Sequence, residues 1–245
     1  MKLEGRSILI TGGTSGIGQA LVEQLAAAND SIAVIARNAD RLASIARRFA
    51  NVSTYPCSLT DKNAMDGTLA KILDRHRDLS VVINNAGIQY TPTLTDPEFS
   101  FDSIEQEVAT NLTAPIRICA LTLRHMLGLK IPSAYINVTS GLALFPKRSS
   151  AVYCATKAGL HNFSTSFRYQ LEGTHVSVFE VVMPLVDTPM TEGRGRGKIP
   201  AAQAAHALIR GVERGKTTIY VGKSKLIPIV ARLSPTLMSN IMKSG

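Results

Sequence analysis

The stretch that decides the fold is Ser7-Ile8-Leu9-Ile10-Thr11-Gly12-Gly13-Thr14-Ser15-Gly16-Ile17-Gly18. Its first half is a short, continuous apolar run, the pattern of a strand buried on both faces of a parallel sheet. From Gly18 onward, Ala20, Leu21 and Leu25 are spaced for one face of a helix. Between strand and helix lies a glycine loop with GxxxGxG spacing. Gly12 permits a tight turn, Gly16 allows backbone amides to approach a pyrophosphate, and Gly18 lets helix and strand pack closely. The helix start adds oriented N–H groups and partial positive charge. Thr14, Ser15 and Ile17 complete the loop as candidate cofactor contacts. A strand-loop-helix of this kind opens a dinucleotide-binding fold.

The rest of the chain repeats the alternation. Residues 31–36 read as a second strand followed by a charged helix to Phe49, 51–55 as a third strand and 80–83 as a fourth. Residues 133–138 and 176–181 follow, and Thr218-Ile219-Tyr220-Val221 is a candidate seventh strand. Strands separated by helices of this length require right-handed crossovers, hence an α/β fold with a doubly wound parallel sheet and helices on both faces. No repeat or low-complexity linker divides the chain, so residues 1–245 are expected to form a single Rossmann-type domain. Ligands in such sheets bind beyond the carboxyl ends of the strands, and the remaining signals sit there.

Strand two ends in Ala36-Arg37-Asn38. NAD-binding domains place Asp or Glu here to bond the ribose hydroxyls. Arg37 would instead neutralise a 2′-phosphate through charge-assisted hydrogen bonds, with Asn38 beside it, so NADP(H) is expected rather than NAD(H). Asn84-Asn85-Ala86-Gly87 closes strand four, Asn111 lies in the helical region beyond, and Ser140 follows strand five. Tyr153 and Lys157 share one helical face at i, i+4. An ammonium beside a phenol favours the phenolate, which prepares the Tyr for proton transfer at a carbonyl or alcohol oxygen.

Together these motifs make the chain resemble the short-chain dehydrogenases/reductases from Ser7 to about Thr188. The family pattern TGxxxGIG falls on Thr11 to Gly18, NNAG on Asn84 to Gly87 and YxxxK on Tyr153 to Lys157. The resemblance implies a catalytic set of Asn111, Ser140, Tyr153 and Lys157. In that set Tyr153 is the general acid/base, and Lys157 lowers its pKa and holds the nicotinamide ribose. Ser140 orients the substrate carbonyl, and Asn111 retains a water for proton relay. It further implies cofactor contacts from Asn85, Ala86 and Gly87, and a homodimer or homotetramer. Two positions depart from the family. Ser58, followed by Leu59, stands where many members place Asp near the adenine. Pro184 occupies the glycine slot of PGxVxT, while Val186 and Thr188 keep the positions that reach the nicotinamide carboxamide. A narrower resemblance joins residues 85–89, 138–143, 152–157 and 186–188 to the DltE-type branch of bacterial oxidoreductases, whose substrates are poorly defined.

Composition bounds what remains. The chain has 245 residues, 45% apolar and 18% charged, enough to bury a core and too apolar for disorder. No apolar run reaches the roughly 18 residues of a membrane span, and the start lacks a signal peptide's apolar region. The three cysteines contain no CxxC pair, so reduced thiols in a cytoplasmic protein are expected, with no metal site. Net charge is +9, yet residues 1–192 carry 17 basic and 17 acidic side chains; the whole excess lies in the last 53 residues. Tyr220 is the sole aromatic after Phe179, which argues against nucleic acid.

The basic excess falls in two places. Residues 186–200 read as a mobile substrate lid, with Gly193, Gly195 and Gly197 alternating with Arg194, Arg196 and Lys198. As a lid it would gather an anionic carbonyl or alcohol substrate, such as a carrier-linked 3-oxoacyl group; otherwise it is a solvated surface loop. Residues 225–245 form a basic, apolar tail broken by Pro228 and Pro235. The tail packs on its own domain or a neighbouring subunit, or, less favoured, lies on an anionic membrane surface. A non-catalytic NADP(H) sensor on the same fold is the alternative to an enzyme; the intact Asn-Ser-Tyr-Lys set argues for the enzyme.

Overall fold

A computed structural model describes residues 1–243. Strand β1 (Ser7–Thr11) leads through the glycine loop into helix α1 (Gly16–Ala26), followed by β2 (Ser31–Ala36), α2 (Ala39–Arg48), β3 (Val52–Pro56), α3 (Lys62–Arg75) and β4 (Leu79–Asn84). Helix α4 (Phe101–Val108) passes through a π-helical turn (Ala109–Thr113) into α5 (Ala114–Gly128). Then come β5 (Ser133–Ser140), α6 (Ala151–Gln170) and β6 (Val176–Met183). A short ribbon of β7 (Val186–Asp187) and β8 (Ile199–Pro200) precedes α7 (Ala201–Glu213), β9 (Thr218–Tyr220), α8 (Ile227–Leu233) and α9 (Pro235–Lys243).

The main sheet has seven strands in the order β3-β2-β1-β4-β5-β6-β9, every neighbouring pair parallel. The expected doubly wound Rossmann fold is thus present as a single domain. The order reverses between β1 and β4, and there the chain leaves the sheet toward opposite faces, opening a crevice. Alternation within strands explains both cores. Ile8 and Ile10 face a layer containing Leu21 and Leu25 of α1, Leu42 of α2 and Leu208 of α7. Leu9 faces the other way, with Met65 of α3, Ile118 of α5 and Phe167 of α6. Both faces are covered, which is why the strands read as unbroken apolar runs.

Two strands run beyond their sequence-predicted ends. β5 continues to Ser140 and β6 to Met183, paired with each other across the whole length. Ser140 is thereby the last rung of a ladder, held by backbone hydrogen bonds rather than carried on a free loop. Residues 186–200 are also anchored: Val186 pairs with Ile199, and Lys198 Nζ donates to the Thr191 carbonyl at 2.6 Å. The tail folds back on its own domain through the buried Ile227 and Met238, with Pro228 and Pro235 in the first turns of α8 and α9, where a missing N–H costs nothing. Its outer face leaves Ile229, Leu233 and Leu237 exposed. Among the described residues no helix is long and apolar enough to cross a membrane.

At the switch point, α1 presses against the strand exits. A Cβ on Gly18 would overlap the Gly12 carbonyl and sit 2.6 Å from the Asn85 amide nitrogen. That amide donates to the Thr11 carbonyl at 3.0 Å, tying β4's exit to β1's. Gly18→Ala therefore collides with the Gly12 backbone, which cannot yield as a flexible side chain would. The expected loss is roughly 1–3 kcal/mol, read as a melting temperature lowered by about 2–4 °C per kcal/mol for a chain of this size.

Candidate functional site

A cavity of about 590 Å³ opens at the switch point. Its lining brings together most of the residues singled out by sequence. Gly12, Ser15, Gly16 and Ile17 contribute from the glycine loop, and Asn85, Ala86 and Gly87 from the exit of β4. Ser140, Tyr153 and Lys157 line it from β5 and α6, and Val186 and Thr188 from beyond β6. Thr14 lines a neighbouring cleft of about 540 Å³ with Arg41, Arg48 and Glu23. Arg37 is exposed at the end of β2, outside both linings, and makes no ion pair among the described residues. Ser58 and Leu59 also lie outside both linings; the Ser58 hydroxyl pairs with that of Thr60 at 2.9 Å. Asn38 has a local duty. Its side-chain oxygen caps α2, accepting from the Arg41 N–H at 2.8 Å.

The loop end of the cavity suits an anion. Ser15 is the N-cap of α1 without a side-chain cap bond, and the first turn carries no acid, so the leading amides of an 11-residue helix face the space unopposed. Gly12 turns at φ +69°, as expected. Gly16 carries a constraint that the sequence does not show. Its φ is +52°, and a Cβ there would come 2.8 Å from Thr188 Cγ2, so its lack of a side chain admits the 186–191 segment over the loop. That segment is held by Thr191, whose hydroxyl donates to the Val186 carbonyl at 2.6 Å while accepting from the Thr188 N–H at 3.2 Å. Pro184 lines the cavity without disturbing this ribbon. Vacant amides at a helix start, a concavity kept clear by glycines and a closing segment are together the donor set and space that a dinucleotide needs.

At the other end, the Ser140 hydroxyl is near enough to the Tyr153 phenol to lower its pKa, and Ser140 Oγ accepts from the Leu142 N–H at 3.1 Å. Lys157 is 4% exposed, and its Nζ donates to the Val138 carbonyl at 2.9 Å, lying 5.7 Å from the Tyr153 ring centre. Burial pulls Lys157 down to about 8 and pushes Tyr153 up to about 12. For Tyr153 the Ser140 hydroxyl opposes burial, the charges of Cys154 and Glu107 add to it, and Arg194 in the glycine-rich segment works against it. In this arrangement burial of the phenol prevails, and Lys157 is not among the groups that lower its pKa. The amine is itself desolvated and directed at Val138, so desolvation of the phenol wins.

Asn111 sits fully buried in the π-helical turn, a feature the sequence does not announce. A π turn breaks the regular ladder and is frequent at functional sites. The Asn111 side chain accepts from the Ile88 N–H at 2.8 Å and gives its protons to the Ile88 carbonyl at 2.8 Å and to Thr156 Oγ1 at 3.3 Å. Both amide protons are spent on neighbours, so in this arrangement the side chain fixes the exit of β4 rather than offering a proton to a water. Its oxygen and Lys157 Nζ still meet around Gly87, at 3.4 and 3.6 Å from where a Cβ would stand.

Sequence reasoning missed Glu107. It is 3% exposed on α4, accepts from the Tyr90 N–H at 2.6 Å, and burial raises its pKa. An acid one helical turn before Asn111, on the same face, was the available signal. Glu107 and Asn111 together clamp residues 88–90, the segment that continues from the cavity wall.

Lys157 makes a pH test. Its folded pKa of about 8 lies below the usual 10.5. Between those values the unfolded chain binds the proton and the folded one does not, so this group makes stability rise with pH. Below pH 8 the folded protein carries the full cost, about 3 kcal/mol. Lys157→Met is expected to melt higher than the parent at pH 7, with the advantage shrinking between pH 8 and 10.5. Equal melting temperatures across that window would contradict the burial argument.

Comparison with known proteins agrees with this geometry. A family model described as short chain dehydrogenase matches residues 6–198. The chain is 33% identical over 227 residues to an uncharacterized oxidoreductase, DltE, of Bacillus subtilis, covering 89% of each. Its fold superposes with a TM-score of 0.88 on a short chain dehydrogenase from Burkholderia cenocepacia in complex with NADP, at 21% identity and covering all of both chains. A short chain dehydrogenase/reductase from Burkholderia phymatum in complex with NAD gives 0.85 at 16% identity, covering 95% of this chain and 96% of that one. With its glycine loop, switch-point cavity and Tyr-Lys helix in place, the chain belongs to the short-chain dehydrogenase/reductase family of oxidoreductases.

Proposed function

We propose that this protein is an NADP(H)-dependent oxidoreductase that interconverts a carbonyl and an alcohol, with Tyr153 as the general acid/base. The observation that carries the reading is that Ser140, Tyr153 and Lys157 line the same cavity as the open N-terminus of α1. The nicotinamide, when bound, gives a hydride to the substrate carbon or takes one from it. This chain's part is to hold the carbonyl and manage one proton. Ser140 orients the substrate oxygen, and Tyr153 delivers its phenolic proton to that oxygen as the carbon gains the hydride, which yields the alcohol. A phenol held protonated by burial is ready as a donor, which suits reduction. The part we assign to Lys157, close by and poorly solvated, is to return a proton and to bond a ribose hydroxyl.

Arg37 supports NADP(H) over NAD(H), since it is exposed, makes no ion pair among the described residues and stands where a carboxylate would select against a 2′-phosphate. Val186 and Thr188, which line the cavity, suit the nicotinamide end. We read the segment 193–197 as the part of the lid that opens for substrate, since its three glycines all have positive φ between anchored ends. The free, buried cysteines at 57, 119 and 154 suit a reducing cytoplasm. Exposed Phe101, Val108 and Leu121 along α4 and α5 suit a homodimer or homotetramer.

Two measurements test this. Tyr153→Phe is expected to lower kcat by roughly 10²–10⁴ while cofactor affinity persists; undiminished turnover would remove Tyr153 from the chemistry. The parent is expected to show a higher kcat/KM with NADPH than with NADH. Arg37→Asp should lower that preference by about 10- to 100-fold, the worth of a charge-assisted contact. A parent preference for NADH, or an unchanged ratio in the variant, would overturn the assignment of Arg37.

A further inference from the structure

The cavity does not end at Tyr153. Beyond it the wall is built by the tail: Leu226, Ile227, Val230, Met238, Ile241 and Met242 all line it. Gly141, next to Ser140, would touch Ile227 and Met242 if it carried a Cβ, so α8 and α9 lie directly above the candidate catalytic serine. Leu142, Met183, Leu185 and Met190 continue the apolar surface from the domain side. Leu226 and Ile241 are also more than half exposed, which places them at the edge of the chamber.

Among the described residues the same lining carries Lys147, Arg196 and Lys223 and no carboxylate. None of these cations makes an ion pair among the described residues. Lys147 is also pressed by a like charge on Arg194, which with burial pulls its pKa down. A long apolar wall bordered by unneutralised cations matches a ligand with an apolar body and an anionic end.

We propose that α8 and α9 form the substrate chamber, and that the carbonyl substrate is an aliphatic chain with an anionic head. The chain lies under the tail helices, the carbonyl lies at Tyr153, and the head is held by Arg196 and Lys223. This rests on the hydride-transfer reading above and adds to it the class of molecule reduced.

The test is NADPH oxidation by the full-length protein with straight-chain aldehydes of increasing length and the matching ω-oxo carboxylates. Within the chamber's capacity kcat/KM is expected to rise about three- to fourfold per methylene, equivalent to about 0.8 kcal/mol. At equal length the carboxylates should exceed the neutral aldehydes at low salt, and added salt should erode that margin. Substituting Arg196→Ala with Lys223→Ala should lower the carboxylate-to-aldehyde ratio of kcat/KM at least tenfold and leave the KM for NADPH in place. A rate independent of chain length, equal rates for charged and neutral substrates, or an effect of the double variant confined to NADPH would each overturn the proposal.

A second readout does not depend on turnover. The fluorescence of cis-parinaric acid is expected to rise with the protein, in the parent and in Tyr153→Phe alike, and decanoate should displace the probe better than butyrate. Probe binding with that order but no carbonyl reduced would leave the chamber standing and sink the hydride-transfer reading. Turnover without probe binding, or displacement indifferent to length, would do the reverse.

Discussion

The tightest constraint in the molecule is the contact between the first turn of α1 and the two strand exits beneath it. Gly18 lies against the Gly12 carbonyl, and the Asn85 amide bridges from β4 to the end of β1. This contact does two things at once. It closes the sheet at the place where strand order reverses, and it turns the leading amides of α1 into the space between β1 and β4. A helix displaced by the width of a methyl group would carry those donors away from the cavity. The polar groups from β5 and α6 reach the same space because their strands are in register with β4 over four residues at Asn84 and with β6 over eight at Ser140.

The half of the cavity around Ser140, Tyr153 and Lys157 has a different character. The loop end is made of backbone, whose dipoles are fixed by helix geometry. The Ser140–Tyr153–Lys157 end is made of side chains, whose ionisation depends on what surrounds them. Lys157 is sealed in and pulled down, while Tyr153 is pushed up, so burial works against the charged form of each. Glu107 adds a second buried acid behind the phenol. In a low dielectric, small changes in hydration shift such balances strongly. Whatever alters the hydration of this end of the cavity therefore alters its chemistry as well.

Much of this was legible in the sequence, because the relevant signals are local. Buried parallel strands write continuous apolar runs, and the loop between β1 and α1 must be glycine. The spacing of Tyr153 and Lys157 is the helical period itself. What the sequence did not disclose depends on contacts between distant elements. The phenol's upward shift depends on burial among β5, α6 and the 186–200 segment, which no spacing reveals. The role of Gly16 depends on Thr188, far along the chain. The π turn at Asn111 depends on the fit of α4 and α5 against Ile88 and Thr156. The tail's prolines read as breaks, whereas they stand in the first turns of α8 and α9, and Gly141 makes room for those helices to rest above it.

The chamber wall contains Met183, Met190, Met238 and Met242. An unbranched thioether has several rotatable bonds and a polarizable sulfur, so a wall of this kind reshapes around its contents at little cost. A rigid lining of branched side chains would select one outline, whereas this one tolerates bends, unsaturation and branching in whatever lies against it. The same sulfur atoms take up oxygen to become polar sulfoxides. An oxidant reaching the chamber would thus wet an apolar surface without altering the chemistry of Tyr153, Lys157 or the glycine loop.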